Sequence, residues 1–305
     1  MSIAELESAG LALEAPSGGL WREAWQRLRR NPGAIVGSFF VLVFVVVGIF
    51  APLIAPEGRN VLHLELLVNG CCPGPSSAHW LGVDELGRDT FSRVVYGARL
   101  SLIVGVVAVA VGLSVGLVLG SIAGYIGGFV DSVIMRLMDV LLAIPGLLLA
   151  IGIVALDLPF DRLFQIMIAV GVTNIPIFAR LLRGSILAQR ENDFVLAARS
   201  VGVRRPTILF SHILPNAISP VIVQGTLALA TAIIDVAALG FLGLGPQDPS
   251  TAEWGNMLAA AQDYLAAQPL LAIFPGIAIV ISVLGFNLIG DALREALDPK
   301  LRGRV

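Results

Sequence analysis

Long uncharged apolar runs separated by short polar stretches dominate this chain. Six runs, centred on residues 33–54, 100–126, 140–156, 163–179, 217–239 and 270–289, are candidates to cross a bilayer. About 20 apolar residues span the ~30 Å of hydrocarbon. The third and fourth runs are short, so their helices are expected to continue past flanking charges whose side chains snorkel. Between the fourth and fifth runs the pattern changes to amphipathic. Phe194, Ala197, Ala198 and Val201 recur at i, i+3, i+4, i+7 and predict one apolar stripe on a short helix. Asp193 stands at its start, where an acid suits the helix dipole. Gly202 is a natural stop, and Pro206 can open a second helix whose face carries Ile208, Leu209, His212 and Ile213.

Charge placement orients these runs. Arg22, Arg27, Arg29 and Arg30 precede the first; Arg180, Arg183, Arg190, Arg199, Arg204 and Arg205 cluster around and after the end of the fourth. Arg294, Lys300, Arg302 and Arg304 follow the sixth, while residues 240–269 contain no basic residue. The positive-inside rule then predicts N-in, C-in, with 193–215 in the cytoplasm. Arg59, Arg88, Arg93 and Arg99 oppose this, but stand in a longer outer loop where the rule is weaker.

Composition supports the membrane reading. The 305 residues are 56% hydrophobic and 14% charged, against about a quarter charged in soluble domains. Mean hydropathy is +0.87. The fold class expected is all-α, a polytopic membrane protein of six transmembrane helices. No secretory signal is evident, since the first apolar run exceeds a cleavable core. The single lysine, Lys300, is followed by Leu301, so the Gly-Lys-Ser/Thr phosphate loop is excluded and any ATP is bound by another polypeptide. Cys71 and Cys72 are adjacent, closer than the usual disulfide span, and are expected to be free thiols. His63, His79 and His212 are far apart in sequence, and no metal or catalytic cluster is predicted.

Other residues invite specific roles. Asp235 lies within the fifth run, where an acid is costly and faces the bundle or an aqueous cavity. It either lines a pathway, attracting a peptide amino group, or pairs with a polar group such as Asn287. Asn174 and Pro176 mark a kink in the fourth run. Arg136 and Asp139 are expected to pair. Phe91, Val94, Val95 and Ala98 predict an interfacial amphipathic helix over 89–99. Ser250-Thr251-Ala252-Glu253 reads as a capping box, placing Trp254 and Met257 on a short outer helix where a binding protein docks or which merely closes the bundle.

The stretch Leu196-Ala197-Ala198-Arg199-Ser200-Val201-Gly202, with Leu214-Pro215 further on, resembles the ATPase-docking motif of bacterial ABC importer permeases. That motif is Glu-Ala-Ala, then Gly, then Leu-Pro; Leu196 replaces its acid. Leu81-Gly82-Val83-Asp84-Glu85-Leu86-Gly87-Arg88-Asp89, Gly97-Ala98-Arg99-Leu100-Ser101 and Gly124-Tyr125 with Asp131 are similar to the dipeptide, oligopeptide and nickel branch. So are Phe241-Leu242-Gly243-Leu244-Gly245, Trp254-Gly255, Phe274-Pro275-Gly276, Gly290-Asp291 and Leu297-Asp298-Pro299. The resemblance covers 80–305 as a permease domain with its docking loop at 190–216; residues 1–79 match only as a tail, one span and an outer loop.

It implies the type I ABC importer permease fold in the cell inner membrane, and no enzyme activity in this chain. The docking residues would be Asp193, Phe194, Leu196, Ala197, Ala198, Gly202, Leu214 and Pro215. The implied partners are a second permease, two cytoplasmic ATPases using ATP and Mg, and an extracytoplasmic substrate-binding protein; no nucleic acid is involved. Di- or oligopeptides are the expected cargo, with nickel chelates or other small solutes as alternatives. A self-sufficient secondary transporter and a non-transporting scaffold are the competing readings from other classes.

Overall fold

The computed structural model describes residues 20–68, 70–156 and 158–297. The acidic N-terminal stretch, Asp298-Pro299 of the terminal motif and the basic residues Lys300, Arg302 and Arg304 lie outside the described residues. Among the described residues, ten helices of eight residues or more organise the fold: α1 (Leu20–Leu28), α2 (Pro32–Ile49), α3 (Thr90–Ile126), α4 (Gly128–Ala143), α5 (Gly146–Val154), α6 (Arg162–Arg190), α7 (Asp193–Ser200), α8 (Ser219–Leu239), α9 (Trp254–Ala261) and α10 (Leu270–Leu297). Short turns fill the gaps, and no strand occurs among the described residues beyond one bridge between Val83 and Asp89.

Helices α2, α3, α6, α8 and α10 are each long and apolar enough to cross a membrane. The third span is not the single rod the sequence predicts. Its residues fold as α4 and α5, bent by 88°. Ile144 is extended (φ −91°, ψ 127°) because Pro145 follows it and disfavours helical backbone at the preceding residue. Pro176 behaves differently: α6 runs unbroken through it.

Helix α3 packs along α6, α2 along α10, and α8 against both α10 and α3. Small residues make the α3–α6 approach close. A Cβ on Gly112 would meet the Gly171 carbonyl at 2.7 Å, one on Gly116 the Phe178 Cβ at 2.6 Å, and one on Gly120 the Ala179 carbonyl at 2.5 Å. Spaced four apart, these glycines form one ridge, the small-residue solution to helix packing in lipid. The core contains Val104, Ile166, Phe178, Leu182, Ile186, Ile213 and Leu239. On the outside, Phe129, Val133, Leu137, Val140 and Leu148 remain exposed. That suits an apolar solvent, in which the bundle gains nothing by hiding them.

Helix α3 has 37 residues, so it runs about 55 Å. Its first turns are the segment expected to lie as a separate interfacial helix. Ser92, Arg93, Val95, Gly97 and Ala98 are instead buried against the rest of the protein, so the amphipathic reading is corrected: these turns join the bundle.

Candidate functional site

The two ends of α3 carry different structures. At its C-terminal end lies an elbow, α7 and the turns up to Ala217; at its N-terminal end lies a cap, α9 with the segment leading into α3.

The elbow begins where α6 stops at Glu191. Helix α7 ends in a paired-bond stop: Val203 N–H donates to the Ala198 carbonyl and Gly202 N–H to that of Arg199, both at 3.0 Å. This Schellman closure needs a left-handed residue, and Gly202 sits at φ +78°. The second helix begins at Arg205–Thr207 and continues as a π-helical turn, Ile208–Ile213. Its predicted face is observed: Ile208, Leu209 and Ile213 are buried and His212 is half-buried.

The apolar stripe of α7 divides. Ala198 turns inward with Val195 into the main core, a correction to its place in an outward contact face. Phe194 and Val201 stay 40% and 80% exposed, joined by Leu196 at 46% and Phe210 at 64%. Asp193, Ala197, Gly202 and Pro215 are also exposed, and Leu214 is half-buried. The Tyr125 hydroxyl donates to the Arg205 carbonyl (2.6 Å) and Arg190 donates to that of Gly124 (3.0 Å), tying the elbow to α3. Helices α4 and α6 are joined by Arg183–Asp131 (2.6 Å) and Arg180–Asp139. Asp139 thus pairs across helices with Arg180, not with Arg136, because the facing helix presents its guanidinium there.

At the cap, Glu253 is itself the N-cap of α9. Its two oxygens accept from Gly255 N–H and Asn256 N–H at 2.8 Å each, so the expected box opening at Ser250 does not form. Burial pushes the Glu253 carboxyl up to about 7. Trp254 and Met257, expected at an outer docking surface, are 2% and 8% exposed and point into the bundle. The Trp254 indole donates to the Val94 carbonyl (3.0 Å) and leans on Phe44, which meets Phe286 edge-on. Arg88 pairs with Asp84 (2.7 Å) and donates to the Pro249 carbonyl (2.6 Å), while Arg93 lies 3.3 Å from Asp84. Two of the arginines that oppose the positive-inside pattern are therefore neutralised and buried. These groups border a cavity of about 360 Å³, whose other lining includes Gln247 and Asn256.

Cys71 and Cys72 are bonded to each other across a cis peptide, not free; the pair packs against Ala261 and Leu271. Asp235 and Asn287 are half-buried on α8 and α10, and no hydrogen bond joins them. Asn174 is buried and donates to the Val170 carbonyl of its own helix (2.9 Å). Last, the fold brings His63 and His79 together with ring centroids 4.8 Å apart beside Glu57, a cluster that sequence spacing concealed.

The architecture is that of an ABC importer permease. It resembles a chain of the inward-facing MetNI methionine ABC transporter with a TM-score of 0.54 at 20% identity, covering 68% of this chain and 96% of that one. The family described as binding-protein-dependent transport system inner membrane component matches residues 116–303, and the N-terminal TM domain of oligopeptide transport permease C matches 19–65. The dipeptide transport system permease protein DppC of Alkalihalophilus pseudofirmus is 47% identical over 92% of this chain and 90% of its own. The glutathione transport system permease protein GsiD of Salmonella paratyphi A is 50% identical over 93% and 91%, and that of Escherichia coli O6:K15:H31 is 48% identical over the same shares. The chain belongs to the binding-protein-dependent inner-membrane permease family of ABC importers, as a multi-pass membrane protein.

Proposed function

We propose that this chain is one of two permease subunits of an ATP-driven importer for short peptides. The observation that carries the reading is the elbow: a short helix, closed by Gly202, holds Phe194, Leu196 and Val201 outside the core. Exposed apolar side chains on a short helix suit insertion into a groove on another protein. Two cytoplasmic ATPases hydrolysing ATP with Mg would each engage such an elbow, one on this chain and one on its partner permease. Because Tyr125 and Arg190 fasten the elbow to α3, movement of the docked ATPase would be transmitted along that helix towards the cap. A substrate-binding protein would deliver cargo at the cap end, and both termini would lie in the cytoplasm.

Peptide cargo is supported by the relatives, whose names specify dipeptide and glutathione transport. Asp235, half-buried and hydrogen-bonded to no described residue, would line the pathway and attract a cationic amino group.

Gly202→Val tests the elbow. A β-branched residue in left-handed backbone costs about 1–2 kcal/mol, and a Cβ there meets nothing within 4 Å, so bundle packing is spared. In proteoliposomes containing both permeases, the ATPases and the binding protein, peptide uptake should fall at least tenfold while ATP hydrolysis persists and the chain still inserts. Uptake at the wild-type rate would overturn the docking role of this elbow.

A further inference from the structure

Three side chains from separated parts of the outer loop converge beside the cap. Glu57 and His63 come from the segment after α2, and His79 from the segment before α3. One ligand atom from each lies within 4.8 Å of the other two.

The arrangement around the two imidazoles sets which nitrogens face one another. His63 Nδ1 lies 3.3 Å from a Glu65 oxygen, and His79 Nδ1 lies 3.1 Å from Asp89 Oδ1. Each ring thus has a carboxylate on its Nδ1 side. His63 Nε2 meets Glu57 Oε2 at 2.7 Å, and the Nε2 of His79 has no hydrogen-bond partner among the described residues. Metal-ligating histidines are held in this way, a carboxylate accepting from one nitrogen and thereby fixing the tautomer that leaves the other lone pair for the ion. His79 and Asp89 are buried, so that half of the cluster is rigid, and Asp89 is further anchored by accepting from Ser92 N–H at 2.7 Å. Glu57 and His63 keep side-chain exposures of 27% and 22%, which leaves a route for an ion and a place for a water ligand.

We propose that Glu57, His63 and His79 form a binding site for a divalent transition metal of the zinc class, with Glu65 and Asp89 as orienting partners of the two histidines. Two imidazoles and one carboxylate are a zinc-type donor set, the remaining position being filled by water. Tetrahedral ligands at 2.0–2.1 Å sit about 3.3 Å apart, so the Glu57–His63 pair opens slightly and His79 moves in, motions within reach of side-chain rotation. The bound ion would staple the exit from α2 to the approach to α3, bracing the loop that carries Asp84 and Arg88.

The full chain, purified with its partner subunits through a tag free of histidine and stripped with chelator, is titrated with zinc chloride by calorimetry and with cobalt(II) by visible absorption. One zinc per chain is expected, with ligand-field bands from cobalt and a rise in the melting temperature. His63→Ala with His79→Ala should abolish all three signals. Glu57→Gln, at a half-exposed position, should weaken zinc at least tenfold and serves if the double variant does not fold. Asp89→Asn keeps the α3 cap and should weaken zinc by about 10–100-fold, as loss of an orienting partner does. Absence of a stoichiometric zinc site in the unaltered protein, or affinity unchanged by Glu57→Gln, would overturn the proposal.

Discussion

The cap and the elbow solve opposite problems at the two ends of one helix. In the cap, ionisable groups are taken out of water: Asp84, Arg88, Asp89, Arg93 and Glu253 are all buried. Such burial is tolerated only when partners replace the lost hydration. Here Asp84 accepts from Leu86 N–H, Arg88 N–H and the Arg88 guanidinium, while Glu253 accepts two backbone N–H groups. In the elbow the reverse holds, and large apolar side chains are left outside although a buried core lies one turn away. The cap's buried ionisable groups find partners within this chain at Asp84, Arg88 and Glu253; the elbow keeps large apolar side chains exposed. One end is therefore held by its own polar contacts, and the other presents apolar surface.

The most severe way to break this contrast is to remove a cap charge. Arg88→Ala leaves Asp84 buried with Arg93 as its remaining cation and strips the Pro249 carbonyl of a donor. Breaking a buried pair costs about 3–5 kcal/mol. Thermal unfolding in detergent should shift down by on the order of 10 °C. Arg88→Lys, which restores charge without the fork, should fall between the two. A melting curve for Arg88→Ala that overlays the parent would show that the cap does not depend on its ion pairs.

Acid titration of the cap gives a smaller effect with a definite sign. The Glu253 carboxyl stands at about 7 in the folded protein against 4.5 for an ordinary glutamate, because burial disfavours its charge. The folded chain thus holds a proton that the unfolded chain has released between those values. Its contribution to stability is full below pH 4.5, declines as pH rises, and is lost above about 7. Over that window the loss is on the order of 3 kcal/mol. Glu253→Gln removes the titration, so its melting temperature should vary less than the parent's between pH 4.5 and 7. Equal slopes would assign the dependence to another acid, with Glu85, raised by burial and by Asp84, next in line.

How well each end was legible follows from what holds it together. The elbow is local: α7, Gly202 and the second helix lie within 25 consecutive residues, and periodicity with one glycine delineates them. What periodicity does not resolve is which half of an apolar stripe faces inward, so Ala198 and Phe194, grouped by spacing, end on opposite sides. The cap is assembled from distant segments. Arg88 meets Pro249 across 161 residues, and Trp254 meets Val94 across 160, so linear pattern reveals neither. The same reason hid the His63–His79 approach and the Arg180–Asp139 pair. The bend at Ile144 was readable in principle, since Pro145 stands in the third run, but hydropathy averaging passes over a single proline.

The mildest perturbation sharpens the contrast most. Phe194 is 40% exposed at the start of α7, and its neighbour Val195 carries the inward packing. Phe194→Ala should therefore change the melting temperature of the isolated chain almost imperceptibly, within about 0.5 kcal/mol of parental stability. If the ring is an anchor in a groove of the ATPase, the same truncation should weaken assembly by about 2 kcal/mol, roughly thirtyfold in affinity. The two measurements belong together, melting of the chain alone and titration of the reconstituted permease pair with ATPase. The same truncation at buried Val195 should reverse the outcome, costing stability first. Should Phe194→Ala instead lower the melting temperature as much as Val195→Ala, the ring would be serving the chain's own fold, and the elbow would be no less self-contained than the cap.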